Sequence, residues 1–386
     1  MTALWRTLAL LSSVGAGYAL SLVADVDGAE STAYYRYFVT ALLGFGLYAS
    51  TRGIDIAEFR DQLGTVLLAV TLGVLAKSVM IAGVVYLAFG EPWLMVLGIA
   101  VAQIDPLSVA AMRSKSKMSP SAKALLSAWA SFDDPITVLL TVYFTALALH
   151  ASNGAVVMSA GLAAFLWNLL WNLVLAGAAF LVWHGFLKVR ARLAAKWHTV
   201  ANVVMGVVVL AVAFFAVVMG LLLAIALIGL FFRPPLGRFV DAATQVALYT
   251  GCAAMGLVLV LEVRWLLIGL VLGTAAYLSQ IVTAFALTTP RRWRGDRVRL
   301  ALGQQNGLTA IILALLLEPD FPGAIAVIAV AIVVVNVLNA VCNGLWDHFR
   351  PPAWETSGSA AEQRPHRRAP DTRAEIVQRG TQSGSP

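Results

Sequence analysis

Three aspartates lie inside stretches that otherwise read as lipid-spanning helices: Asp105 in VAQIDPLSVAAM, and Asp133 and Asp134 in AWASFDDPITVLL. An ionised carboxylate at a bilayer centre costs about 2.5–3.5 kcal/mol even on lenient insertion scales. A chain that keeps three at membrane depth is expected to use them. Each acidic motif runs straight into a proline, Pro106 or Pro135. In a helix, proline lacks an N–H and clashes with the carbonyl four residues back, so Pro106 is expected to free the carbonyl of Ala102 and Pro135 that of Ser131. It also disfavours helical backbone at the preceding residue, here Asp105 and Asp134. Broken helices at the membrane midplane supply dipole ends and free carbonyls that bind ions. The pattern predicts a site holding a cation or a proton; the plainer reading is a pair of proline kinks with capping aspartates.

A third polar break is Gly303-Gln304-Gln305-Asn306-Gly307, inside DRVRLALGQQNGLTAIILALLLE. The amides of Gln304, Gln305 and Asn306 offer neutral oxygens to a cation, and the glycines permit a loosened backbone. A helix–helix hydrogen-bonding patch uses the same residue types. Lys77, in TLGVLAKSVMIAG, sits near the centre of its span. A buried lysine is paired, neutral or functional, so a carboxylate partner at 133 or 134 is expected. Asn168 with Asn172, and Asn336 with Asn339 and Asn343, recur at helical spacing and read as helix-packing contacts.

The elements that must position these groups follow from composition. Of 386 residues, 60% are hydrophobic and only 12% charged, against roughly 25% charged in a soluble domain. This predicts an all-α polytopic membrane protein. The net charge of +7 falls in short loops and the C-terminal segment, which argues against nucleic-acid binding. Cys252 and Cys342 both lie in apolar spans and form no disulfide framework or zinc spacing. The sequence has no Walker motif, metal-spaced His/Cys cluster or nucleophile elbow, and no enzyme chemistry or cofactor is expected.

A span needs about 20 apolar residues. Spans are expected near 4–23, 34–51, 62–89, 93–112, 121–149, 155–183, 241–261, 264–288, 298–317 and 322–346. The apolar stretch 199–232 is too long for one span and short for two. Basic residues mark cytoplasmic loops. They follow the fourth span (Arg113, Lys115, Lys117, Lys123), the sixth (Lys188, Arg190, Arg192, Lys196) and the ambiguous stretch (Arg233, Arg238). They also precede the next-to-last span (Arg291, Arg292, Arg294, Arg297, Arg299). The alternate loops are acidic or neutral, with Asp25, Asp27, Glu30, Glu91, Glu318 and Asp320. The loops flanking 199–232 therefore share a face, and the stretch must cross twice, with a break near Ala216. That gives twelve spans with a retained first helix and both termini cytoplasmic. The broken fourth span lies one helix into a unit 62–150, and the second polar break one helix into a unit 264–347. Matched interrupted helices in two three-helix units are the signature of inverted repeats with a site at their crossing. Residues 350–386, rich in Pro, Ser, Gly, Arg and Glu, are expected to form a disordered cytoplasmic tail beyond a transmembrane domain 1–349.

These motifs resemble a known family. Ile104-Asp105-Pro106 is similar to the Thr-Asp-Pro motif of the cation–proton antiporters, and Phe132-Asp133-Asp134-Pro135 to the motif on the adjacent helix. That second motif reads Asn-Asp in the mostly electroneutral branch and Asp-Asp in the electrogenic one. The run GFGLYASTRGIDIAEFRDQLGTVLLAVTLGVLAK is also similar to the family's second and third helices, and the likeness covers about residues 36–347. It implies a helical core with two crossed, unwound helices beside a dimerisation panel, hence a homodimer. It also implies that Asp134 is the main ion- and proton-binding carboxylate, with Asp105 close by. Several positions depart. The threonine is Ile104, and the family's membrane glutamate is replaced by Trp129. The arginine of the eleventh helix is Asn306, and the basic residue of the tenth span is absent, with Gln280 its nearest counterpart. The expected function is exchange of monovalent cations, sodium or else potassium, for protons by alternating access. The protein would act in the cell membrane and serve pH homeostasis, with Asp134 and Asp105 as cation ligands and Asp133, Lys77, Gln280, Gln304, Gln305, Asn306 and Ser131 around them. The main alternative is a sodium-coupled symporter of an organic anion, because Gly303 to Asn306 is also similar to a motif of the bile-acid symporters. A non-transporting membrane sensor ranks last.

Overall fold

The computed structural model describes residues 3–23, 32–53, 63–113, 116–152, 158–233, 237–259 and 262–349. The C-terminal segment 350–386 and the acidic loop with Asp25, Asp27 and Glu30 lie outside the described residues. Among the described residues the chain is helical, without strands. Among the described residues, counting an interrupted helix once and leaving aside two 3-10 turns, twelve helices follow one another: α1 (Ala3–Ser21), α2 (Ala33–Arg52), α3 (Leu63–Phe89), α4a (Leu94–Ala100) with α4b (Pro106–Arg113), α5 (Pro120–Ser152) and α6 (Met158–Arg192). The second half has α7 (His198–Val218), α8 (Leu222–Phe231), α9 (Gly237–Val258), α10 (Val263–Leu287), α11a (Arg297–Ala301) with α11b (Leu308–Leu317), and α12 (Ala324–Phe349). Among the described residues, six helices are long and apolar enough to cross a bilayer. This is an all-α polytopic membrane fold, as composition and hydropathy predict.

Two local features correct the sequence reading, and a third adds to it. The break in 199–232 falls at Met219–Leu221, not near Ala216. Gly220 takes a left-handed conformation (φ 68°), and the amides of Leu221 and Gly220 bond back to the carbonyls of Ala216 at 2.7 Å and Val217 at 3.2 Å. This is a Schellman ending, in which glycine carries the positive φ without a Cβ penalty. The helix that follows, α8, has ten residues and covers about 15 Å, half the hydrocarbon thickness. One N–H of its first turn is satisfied from α6, where Asn172 Oδ1 accepts from the Ala224 amide at 2.8 Å.

Second, Pro135 does not break its helix. α5 runs unbroken from Pro120 to Ser152 with Pro135 inside it. One missing N–H removes a single hydrogen bond, and the neighbouring turns hold the helix together. Asp134 is therefore helical, not displaced. Pro106 differs because it opens α4b as the first helical residue, where its missing N–H would lack a partner in any case. The carbonyl of Ala102 thus lies in the unwound segment 101–105, rather than being freed inside a continuous helix. Third, α3 contains a π-helical turn, Ala69–Gly73, one turn before Lys77. Such widened turns shift a helix's register and recur at functional sites.

Small residues let the helices approach closely. A Cβ on Gly17 of α1 would meet the Ala253 carbonyl of α9, and one on Gly256 the Val14 carbonyl of α1. Gly269 and Gly273 do the same for α10 against α12. α3–α5 and α10–α12 share one order: long helix, interrupted helix, long helix. A polar contact joins the starts of α5 and α11a, where the Asp296 carboxylate accepts from the Ser119 amide at 3.0 Å and hydroxyl at 2.6 Å.

Candidate ion site at the helix crossing

The two unwound segments, 101–105 and 302–307, meet and exchange hydrogen bonds. The Asp105 amide donates to the Gln305 carbonyl at 2.8 Å. The Asn306 side-chain amide donates to the Val101 carbonyl at 3.0 Å, and that of Gln304 to the Gln103 carbonyl at 2.7 Å and to Asn306 Oδ1 at 2.9 Å. α12 supplies the rest. Asn336 pairs with both the amide and the carbonyl of Asn306, at 3.2 and 2.9 Å. Asn339 and Asn343 donate to the Leu302 carbonyl at 2.7 and 2.9 Å, and Gln305 donates to Asn339 Oδ1 at 3.1 Å. Backbone that has left the helix must find such partners at membrane depth. The asparagine stripe of α12 is thus the packing contact its spacing suggests, and its target is the broken backbone. The side-chain NH2 groups of Gln304 and Asn306 donate across the crossing and that of Gln305 to α12, while Gln304 Oε1 has no hydrogen-bond partner among the described residues.

The aspartates sort onto two sides of this crossing. Asp105 caps α4b: its Oδ2 accepts from the Ser108 amide at 2.7 Å. Its carboxylate also fills the space where a Cβ on Gly307 would stand, so a glycine is sterically required at the entrance to α11b. Asp134 reaches the same half-helix, accepting from Thr309 Oγ at 2.9 Å. With its NH2 turned toward Asp134, the Gln103 amide donates to Oδ1 at 2.9 Å and accepts from the Ala310 amide at 2.7 Å. Asp105 and Asp134 thus converge on the first turn of α11b, the helix end that carries partial positive charge. Asp133 points elsewhere. Its Oδ2 accepts from Lys77 Nζ at 2.7 Å and from the Ile104 amide at 2.9 Å. The expected lysine–carboxylate pair is therefore present, with both side chains fully buried. The Lys77 ammonium also stands 5.6 Å from the ring centroid of Trp129, within cation–π range. The residue that replaces the expected glutamate therefore sits against the lysine.

Gln280 is buried on α10, and neither of its amide atoms bonds to a described residue. Ser131 is buried on α5, and among the described residues no hydrogen bond joins it to the aspartates. Two partners of Asp134 escaped the sequence reading. Gln103 is a polar residue two positions before Asp105 in an apolar span, a signal available without a structure. Thr309 is a small hydroxyl in an apolar run, and only the fold aims it.

Two interrupted helices crossing at buried carboxylates are the architecture of secondary transporters with a midplane site. The solved structure of the sodium proton antiporter MjNhaP1 from Methanocaldococcus jannaschii has the same fold. The match has a TM-score of 0.66 and covers 88% of this chain and 92% of that one, at 18% sequence identity. No protein-family model matches the chain, and no curated protein sequence matches it.

Proposed function

We propose that the protein exchanges a monovalent cation for protons by alternating access, with Asp134 as the carboxylate that both compete for and Asp105 beside it. One observation carries this reading: two buried carboxylates converge on the first turn of one half-helix, while the neighbouring acid, Asp133, is matched by Lys77. The four ionisable side chains Lys77, Asp105, Asp133 and Asp134 sum to a formal charge of −2 when all are ionised. Such a charge is costly in a dry interior, so protons or a desolvated cation must neutralise it. Binding either one disfavours the other, and that competition couples the two fluxes. The fold shared with a sodium proton antiporter makes sodium the first candidate cation, with potassium second. The NH2 groups of Gln304, Gln305 and Asn306 already donate within the fold, which leaves them poorly placed to recognise an organic anion and favours exchange over symport.

The reading extends to a cell-membrane protein with a transmembrane domain 1–349, core units about 62–150 and 264–347, and both termini cytoplasmic. It works as a homodimer in pH homeostasis. The test is reconstitution into proteoliposomes carrying an internal pH dye. Sodium or potassium added outside should drive proton movement in the opposite direction. Uptake of an organic anion with sodium, and no cation-driven proton flux, would replace this reading with the symporter.

A further inference from the structure

Lys77 reaches the crossing from α3, one turn beyond the π-helical turn Ala69–Gly73. A π turn carries one extra residue and so rotates the helix beyond it by about 100°, which sets the face on which Lys77 stands. Its side chain is fully buried and meets α5 at two places. Asp133 Oδ2 takes one of the ammonium's three donors at 2.7 Å, and the same oxygen also accepts from the Ile104 amide. The second place is the indole face of Trp129, with Nζ 5.6 Å from the ring centroid. Trp129 and Asp133 are four residues apart on α5 and so share one helix face. Together they receive the ammonium.

Packing alone does not call for tryptophan here. The ring is fully buried, and its Nε1 has no hydrogen-bond partner among the described residues. An unmatched buried donor is costly, and phenylalanine or leucine would fill apolar space without it. What tryptophan adds is the strongest π face for a cation. The reason for a second hold on Lys77 lies next to its first partner. Asp134 follows Asp133 directly, and the Lys77 charge acts on it as well. A lysine has a flexible four-carbon stem and rotatable donors. Tied by one shared oxygen alone, it can turn to the second carboxylate and occupy it.

Given Asp134 as the exchanging carboxylate, a reading on which this rests, we propose that Trp129 is a positioning residue of the ion site. Its indole face holds the Lys77 ammonium on Asp133 and away from Asp134, so the transported cation finds Asp134 unoccupied. Without that hold Lys77 is a built-in competitor, because an ammonium and a sodium ion seek the same oxygens. Loss of the ring face therefore weakens cation binding without removing any cation ligand.

The test is sodium-driven proton movement by the full-length protein in proteoliposomes, with the melting temperature in detergent measured alongside. Trp129→Leu removes the π face and should raise the apparent sodium KM on the order of tenfold, with the maximal rate changed less. Trp129→Phe keeps a weaker face and should fall between. Difluorotryptophan placed at 129 alone keeps the shape and draws electron density from the ring. It should also raise KM, and it replaces the leucine variant if that protein does not fold. In a background of Lys77→Met with Asp133→Asn there is no ammonium to hold, and neither change at 129 should move KM. An equal rise in that background would overturn the proposal, because the indole would then act through packing. So would a KM that difluorotryptophan leaves at the wild-type value. A wild type without any cation-driven proton flux would instead refute the reading of Asp134. The melting temperature then decides for Trp129: difluorotryptophan should lower it in the wild type and not in the background, and no such difference would overturn the hold on Lys77.

Discussion

Asp133 and Asp134 are neighbours in sequence and opposites in surroundings. About 100° of helix rotation separates them, and that angle sends one to α3 and the other to α11b. Asp133 meets a full positive charge, Lys77, and a backbone amide. Asp134 meets a hydroxyl and a side-chain amide. A carboxylate balanced by a fixed ammonium gains little from a second cation. One held by neutral donors keeps its charge available, and a helix N-terminus stabilises its ionised form without neutralising it. In the proposed function the Asp-Asp pair therefore divides its work: Asp133 secures the crossing and Asp134 exchanges ligands.

Removing Asp134's charge should break that division most completely. Asp134→Asn should reduce cation-driven proton movement in proteoliposomes to background, with the protein folded and inserted. Asp105→Asn should inactivate exchange or raise the apparent KM for the cation. An unchanged KM and rate would leave Asp105 as a cap for α4b alone.

The Asp133 side should respond in stability before selectivity. Breaking a buried pair by removing one partner costs about 3–5 kcal/mol, because a buried charge loses its match. Lys77→Ala and Asp133→Ala should each lower the melting temperature in detergent, and the double variant should lose less than the two losses added. Strict additivity would mean that the pair contributes no coupling. The smallest effect is expected at Thr309. Thr309→Val keeps the shape and deletes one hydrogen bond to a charged group, worth about 1.5–3 kcal/mol. The measurement is the apparent cation KM across pH, and an unaltered profile would show that Thr309 does not tune the site.

Much of this layout is readable from residue types. Intramembrane aspartates, the Pro106 and Gly303–Gly307 breaks and a midplane lysine locate the crossing, because polar groups in an apolar span need a reason to be there. Hydropathy and loop charge give the helices. Three things were not legible. Pro135 announces a break that α5 does not make, because a kink and a continuous turn share the same local sequence. The end of α7 depends on Gly220 adopting a left-handed conformation, and Ala216 offers no equivalent signal. The bonds between the α12 asparagines and the unwound backbone depend on α12 lying against α11, which no local pattern encodes.

The central claim is that protons and a cation compete at Asp134 and not at Asp133. The direct measurement is proton release on cation binding: purified protein in weakly buffered detergent, titrated with sodium at fixed pH, with the liberated protons read by a pH dye. The wild type should release protons saturably, and Asp133→Asn, if folded, should still do so. Asp134→Asn should release none. Saturable release from the Asp134→Asn protein would contradict the account.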